Sequence, residues 1–188
     1  MSTLDKLIIL DRDGVINFDS DQFIKSPAEW KPIPGSIEAI PRLNQAGYRV
    51  VVATNQSGIG RGLFDMATLA AINDRMVEMV FRQGGRIDAV FFCPHTAAHD
   101  CRCRKPKTGM FDDIAARFRM GLKGVPAIGD SPRDLDAAAA AGCTPILVLT
   151  GKGEKTREAG GLPKGTRVFA DLAEAVRQLI AESGTRHA

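Results

Sequence analysis

Two carboxylates one residue apart, Asp11 and Asp13, end the apolar run Leu7-Ile8-Ile9-Leu10 and lead into Gly14. Like charges this close repel each other unless a cation, a shared proton or a reaction makes use of them. A third acid, Asp130, ends the run Ala127-Ile128-Gly129, and Asp134 follows four residues later. Asp11, Asp13 and Asp130 make an oxygen-rich set suited to Mg²⁺, which takes a few carboxylates and completes its shell with water and phosphate. Asp134 falls in the first turn of an expected helix, where the helix dipole alone accounts for an acid. Thr54 and Asn55 precede Gln56, Ser57 and the spaced glycines Gly58, Gly60 and Gly62. A hydroxyl, an amide and open backbone N–H groups at one strand tip can cradle a phosphate. Lys105, between Arg104 and Pro106, offers an ammonium that would offset the acids and hold a phosphoryl oxygen.

A second constellation is sulfur-rich. Cys93-Pro94-His95 and Cys101-Arg102-Cys103 supply one imidazole and three thiols with the spacing of a closed tetrahedral Zn²⁺ site. Such a site leaves no coordination position open, so its role is structural: it would pin a loop that has no core of its own. His99 is the alternative to His95 as the nitrogen ligand. Cys143 lies apart, in a helix-to-strand turn, and reads as a packed side chain.

The elements that must position these groups alternate along the chain. Strand patterns occur near Leu7–Leu10, Arg49–Ala53, Asp88–Phe92, Val125–Ile128, Pro145–Leu149 and Arg167–Ala170. Helical spacing links Ile37, Ile40 and Leu43, with Pro41 leaving that helix's start or straightness open. It also links Leu69, Ile72, Met76 and Val80, then Met110, Ile114 and Phe118. A helix over Ser131–Ala141 opens on Ser-Pro, and a last one opens on the capping pair Asp171 and Glu174. This order predicts an α/β fold: a Rossmann-like, doubly wound, mainly parallel sheet with helices on both faces. All three acids of the Mg²⁺ set would then sit where strand ends open into a crevice. Residues 17–35 and 151–165 lack periodicity. The first stretch is expected to overhang the site, and the second reads as a solvated Gly/Lys-rich loop. Neither is long enough for a large cap domain, so the expectation is a single domain over residues 1–188.

Bulk composition excludes several classes. The chain has 188 residues, 44% hydrophobic and 25% charged, with a formal net charge of +3. That balance, with no dense Lys/Arg run and only one Trp and one Tyr, gives no basis for a nucleic-acid partner. A short polar lead before the first strand and the lack of a long apolar run predict no membrane association. The expectation is a cytoplasmic monomer acting on a small molecule, with cysteines that serve a metal rather than disulfides.

In this order, the motifs Asp11-Arg12-Asp13-Gly14, Thr54, Lys105 and Gly129-Asp130 with Asp134 resemble the haloacid dehalogenase superfamily of phosphotransferases, over about Leu7 to Leu149. The resemblance implies a phosphate monoester hydrolase that works through a covalent aspartyl phosphate. Asp11 would be the nucleophile and Asp13 the acid and base. Asp11, Asp130 and the backbone carbonyl of Asp13 would hold Mg²⁺, and Thr54, Asn55 and Lys105 the transferring oxygens. The Cys/His loop running into Cys103-Arg104-Lys105-Pro106 is similar to a small subgroup without large caps, whose members hydrolyse heptose bisphosphates or histidinol phosphate. Thr54-Asn55-Gln56-Ser57-Gly58-Ile59-Gly60-Arg61-Gly62 resembles the heptose-bisphosphate branch, which supplies lipopolysaccharide precursors. That branch implies sugar contacts from Asp19, Ser20, Asp21, Gln22, Gln56, Ser57 and Ser131, and a second phosphate at Arg104. The short spacer between His95 and Cys101 is as in histidinol-phosphate phosphatases, which stand as the alternative. A polynucleotide 3′-phosphatase shares part of the Thr54 stretch, and a non-catalytic phospho-ligand binder would have no use for Asp13.

Overall fold

The computed structural model describes residues 6–185; the polar lead expected before the first strand lies outside them. Six parallel strands form one sheet: β1 (Lys6–Leu10), β2 (Tyr48–Asn55), β3 (Ala89–Cys93), β4 (Pro126–Gly129), β5 (Thr144–Val148) and β6 (Arg167–Phe169). Their order across the sheet is β3-β2-β1-β4-β5-β6, the doubly wound order whose direction of winding reverses between β1 and β4. In β1, alternate side chains point to opposite faces. Ile8 and Leu10 enter one apolar layer, together with Val50, Val52 and Ile146. Leu7 and Ile9 enter the other, with Val51, Ala53 and Ala127. A strand buried on both sides needs an unbroken apolar sequence, which is what residues 7–10 provide.

The first layer is covered by α1 (Ser36–Gln45), α3 (Met66–Arg82) and α7 (Leu172–Thr185). The second is covered by α4 (Gly109–Phe118) and α5 (Pro132–Ala140). α1 begins at Ser36 and keeps Pro41 in its interior. Two short helices were not expected: α2 (Ser57–Gly60), inside the Gly-rich turn, and α6 (Gly153–Ala159). The second corrects the reading of residues 151–165 as a solvated loop, because Gly153 and Thr156 are buried and the Thr156 hydroxyl donates to the backbone oxygen of Asp130 at 2.8 Å. Residues 17–35 are irregular yet packed. Asn17 bridges to Asp13 and to Pro32, and Trp30 and Ile24 join the first apolar layer. Among the described residues, no helix is long and apolar enough to cross a membrane.

Candidate active site

The crevice opens at the reversal point between β1 and β4. The backbone N–H of Asp11 donates to the carbonyl of Ile128 at 2.9 Å, so β1 and β4 stay paired up to the residue that carries the first acid. One carboxylate oxygen from each of Asp11, Asp130 and Asp134 can be chosen so that all lie within 4.8 Å of one another. Burial and the Asp134 charge push Asp11 up to about 7, and burial and Asp11 push Asp130 up to about 8. Acids that resist ionising together are what a cation site looks like in the absence of the cation. The backbone makes room for this group. A Cβ on Gly14 would lie 2.0 Å from Asp130 Oδ2, and one on Gly151 would lie 2.2 Å from the same atom. Both glycines have positive φ, so each position excludes a side chain on two counts. The donor set is all oxygen and fits Mg²⁺.

Lys105 is 2% exposed and holds the other side of the acid cluster. Its Nζ lies 2.6 Å from Asp134 Oδ1 and 3.1 Å from Asp11 Oδ1, and it donates to the Ala53 carbonyl at 2.7 Å. Burial opposes the charge on Lys105, but Asp11 and Asp134 outweigh it and raise its pKa. Burial likewise opposes ionisation of Asp134, and Lys105 overcomes it, so that carboxyl sits below its ordinary value. Asp134 also accepts from the backbone N–H of Ser131 at 3.1 Å and from the Ser131 hydroxyl. It thus closes a capping box at the helix start, where the dipole also favours an acid, and is at the same time the counter-ion of the lysine. Asn55 fixes the lysine's backbone: its amide donates to the Lys105 carbonyl and accepts from the Lys105 N–H, both at 3.1 Å. Thr54 is buried, and its Oγ1 accepts from Gln56 Nε2 at 2.9 Å.

Asp13 is held differently. Arg12, with no exposed surface, donates through Nε to Asp13 Oδ1 at 3.0 Å and through Nη2 to Oδ2 at 3.1 Å. Asn17 Nδ2 and Gln56 Nε2 each add a donor at 2.8 Å. Burial works against the Asp13 anion, yet the Arg12 charge and these hydrogen bonds hold the carboxyl below its usual range.

Around these groups lies a cavity of about 230 Å³. Its wall includes the sequence-derived candidates Asp11, Asp13, Asp19, Ser20, Asp21, Thr54, Asn55, Gln56, Ser57, Arg104, Lys105 and Asp130. Two candidates fall outside that wall. Gln22 is exposed at a turn whose backbone N–H bonds to Ser20 Oγ, and the buried Ser131 spends its hydroxyl on Asp134. Besides Lys105, four basic groups line the cavity: Arg104 and Arg61, plus Arg133 and Lys152, which sequence reasoning did not place there. Burial and then the Arg133 charge lower the pKa of Arg104. Lys152 ties the rim together, since its N–H donates to Asp130 Oδ2 at 2.8 Å and its Nζ lies 2.8 Å from Asp19 Oδ2.

The Cys/His loop leaves the end of β3. Sγ–Sγ separations are 3.2 Å for Cys93–Cys103, 3.5 Å for Cys101–Cys103 and 3.6 Å for Cys93–Cys101. His95 Nδ1 lies 3.3 Å from Cys103 Sγ and 3.6 Å from Cys93 Sγ. These four side chains form a cluster able to hold a metal ion. His99 instead bonds to Thr96 Oγ1 at 2.8 Å, which leaves His95 as the nitrogen donor. The loop is joined to the crevice, because Arg104 Nη1 donates to the His95 carbonyl at 3.1 Å.

A parallel sheet in this strand order, with an Asp-x-Asp at β1, a threonine at β2, a buried lysine and an aspartate pair after β4, defines a haloacid dehalogenase-type phosphatase. The family described as HAD-hydrolase-like matches residues 102–175, and that described as polynucleotide kinase 3 phosphatase matches residues 4–129. A D-glycero-beta-D-manno-heptose-1,7-bisphosphate 7-phosphatase of Bordetella bronchiseptica is 60% identical over 178 residues, covering 95% of this chain and 99% of its own. Its counterpart in Pseudomonas putida is 54% identical, covering 93% and 99%. A crystal structure of the D,D-heptose 1,7-bisphosphate phosphatase of B. bronchiseptica, complexed with magnesium and phosphate, superposes with a TM-score of 0.93 at 60% identity over 94% of this chain and 99% of that one. The chain belongs to the D-glycero-D-manno-heptose-1,7-bisphosphate 7-phosphatase family and is a phosphoric monoester hydrolase.

Proposed function

We propose that this protein hydrolyses the 7-phosphate of D-glycero-β-D-manno-heptose 1,7-bisphosphate, in the supply of lipopolysaccharide heptose. The observation that carries this reading is the pairing, in one cavity, of the Asp11–Asp130–Lys105 cluster with a separate rim of arginines. The cluster suits a reacting phosphate. The rim suits a second phosphate that is bound but not cleaved, with Arg104 as its bidentate partner. Asp19, Ser20, Asp21, Gln56 and Ser57 face the sugar, and Gln22 and Ser131 act from behind, through the turn and the helix cap.

Asp11 and Asp130, with the Asp13 carbonyl, would hold Mg²⁺, which when bound lets the clustered acids ionise and spreads charge on the phosphoryl oxygens. An Asp11 carboxylate oxygen attacks phosphorus as the bond to the sugar oxygen breaks. That oxygen takes the proton of a protonated Asp13, which is left as a carboxylate. Asp13 then removes a proton from the water that attacks phosphorus. The bond to Asp11 breaks, inorganic phosphate leaves, and both side chains are restored. Thr54, Asn55 and Lys105 hold the transferring oxygens throughout. The four N–H donors around Asp13 match its base role. The acid role requires Gln56 Nε2, which also donates to Thr54 Oγ1, to release Asp13 Oδ2, so that this oxygen carries the proton while the Arg12 fork stays in place.

Zn²⁺ is the metal that best fits Cys93, His95, Cys101 and Cys103. Tetrahedral bonds of about 2.3 Å to sulfur put the sulfurs about 3.8 Å apart, and the separations of 3.2–3.6 Å need only a small outward adjustment to reach it. The protein is proposed to work as a single domain over 1–188 and as a monomer in the cytoplasm.

The match of residues 4–129 to polynucleotide kinase 3 phosphatase favours one second substrate class, a nucleic-acid 3′-phosphate. Phosphate release with Mg²⁺ should be compared for the β and α heptose bisphosphates, histidinol phosphate and a 3′-phosphorylated oligonucleotide. The β-heptose substrate is expected to lead in kcat/KM by at least about tenfold, a margin of about 1.4 kcal/mol. Faster turnover of histidinol phosphate or the oligonucleotide would overturn the substrate assignment and leave the hydrolase intact.

A further inference from the structure

Arg12 sits between the two acids of the first motif and takes no part in the chemistry so far derived. Its burial is complete, which for an arginine requires a specific ionic partner. The guanidinium meets Asp13 through two parallel N–H bonds, the geometry that fixes a carboxylate in plane as well as in position. Its third bond, from Nη1, goes to Asn73 Oδ1 of α3 at 3.1 Å. The Arg12 backbone is equally fixed: its N–H donates to Asp11 Oδ1 at 2.8 Å, and its carbonyl accepts from Ile16 at 2.8 Å. A chain therefore runs from α3 through Asn73 and Arg12 to the carboxylate that must serve as acid and base. In a site with no large cap domain, something inside the core has to hold that carboxylate between the two steps.

We infer that Arg12 is a positioning residue for Asp13, and that α3 sets its position through Asn73. This inference rests on the acid–base role proposed for Asp13. Arg12 aims the carboxylate without touching the substrate, so its loss should fall on kcat and leave KM nearly unchanged. Its effect should also vanish when there is no working carboxylate left to aim.

The test is a cycle of Arg12→Gln, Asp13→Asn and the double variant, with Arg12→Lys and Asn73→Ala alongside, all assayed with Mg²⁺ for kcat, KM and thermal midpoint. Expected are a loss of kcat of about 100-fold for Arg12→Gln, partial recovery in Arg12→Lys, and a loss of about fivefold for Asn73→Ala, each with KM within about twofold of wild type. The double variant should be no slower than Asp13→Asn alone, within about threefold. Multiplying losses in the double variant, or equal losses in Arg12→Lys and Arg12→Gln, would show a structural role only and overturn the inference. If Arg12→Gln does not fold, the same cycle with Asn73→Ala decides: a loss that persists in the Asp13→Asn background, or no loss at all, counts against it. Should Asp13→Asn keep full turnover, it is the acid–base assignment that fails, which separates the two readings.

Discussion

The acidic crevice takes Asp11 and Asp130 from the tips of two strands distant in sequence, whereas the Cys/His cluster takes all four donors from residues 93–103. The crevice is held in shape by the sheet. β1 and β4 are paired up to its first residue, apolar layers lie on both sides, and Lys105 already supplies a positive charge at 3.1 Å from Asp11. The loop has less support: of its four donors only Cys93 is buried, and its 3-10 turn, Ala97–His99, contains no buried residue. Rigid strand ends can leave part of a metal's shell open for substrate and water, because the shape does not depend on the metal. A loop whose shape depends on its metal must close the shell with its own side chains. The difference predicts that one cluster governs rate and the other local order.

The largest effect should follow Asp11→Asn. Turnover is expected to fall by about 10,000-fold, about 5 kcal/mol of barrier, while the metal-free protein keeps its thermal midpoint or gains a little as one crowded acid is removed. Phosphate release and a melting curve check both halves. Lys105→Ala comes next. Breaking a buried ion pair by deleting one partner costs about 3–5 kcal/mol, so denaturant titration should show a loss of that size. A smaller loss would mean the crevice is less dependent on its internal cation than the geometry implies.

Arg104→Ala should lower kcat/KM for the heptose bisphosphate by about 10–100-fold, in line with losing a charge-assisted bidentate contact. The heptose 7-monophosphate should change by less than about twofold. Equal losses would move Arg104 from the second phosphate to the reacting one. Cys101→Ser, or chelation of the Zn²⁺ proposed for the loop, should remove amide protection over residues 93–108 and leave β1, β2 and β4 protected. Activity should drop by about tenfold through Arg104 and Lys105.

The smallest effect concerns pH. Asp11 and Asp130 are raised to about 7 and about 8 without a cation, so the folded state binds protons that the unfolded state releases near pH 4. Their contribution to stability is therefore full below about pH 4 and is lost as pH rises toward 8. Mg²⁺ should remove that loss. Its gain in melting temperature is expected to be a few degrees larger at pH 8 than at pH 5.5.

Much of this organisation was legible in the sequence, for identifiable reasons. Runs such as Leu7–Leu10 and Val51–Ala53 are apolar on both faces, which only a covered parallel strand explains, and polar residues at such strand ends mark a crevice. Asp134 was only half legible. Its place in the first turn of α5 is accounted for by the helix dipole, but its ion pair with Lys105 depends on a loop folding back from β3. Lys152 and α6 were missed because residues 151–165 are rich in glycine and lysine and lack periodicity. What orders the start of that stretch is contact with Gly14 and Asp130, and no local pattern records it. Arg12 was overlooked for a related reason: nothing beside it in the chain marks it as buried, and its partner Asn73 lies on a helix far along the chain.

In the proposed mechanism Asp11 takes the phosphoryl group onto its own oxygen. Acid quenching during steady turnover, followed by borohydride reduction and tandem mass spectrometry, tests it directly, because reduction of an acyl phosphate converts the labelled aspartate to homoserine. That conversion is expected at position 11 alone, dependent on substrate and Mg²⁺ and absent from Asp11→Asn. Conversion at another carboxylate, or a fully active enzyme that never yields any, would contradict it.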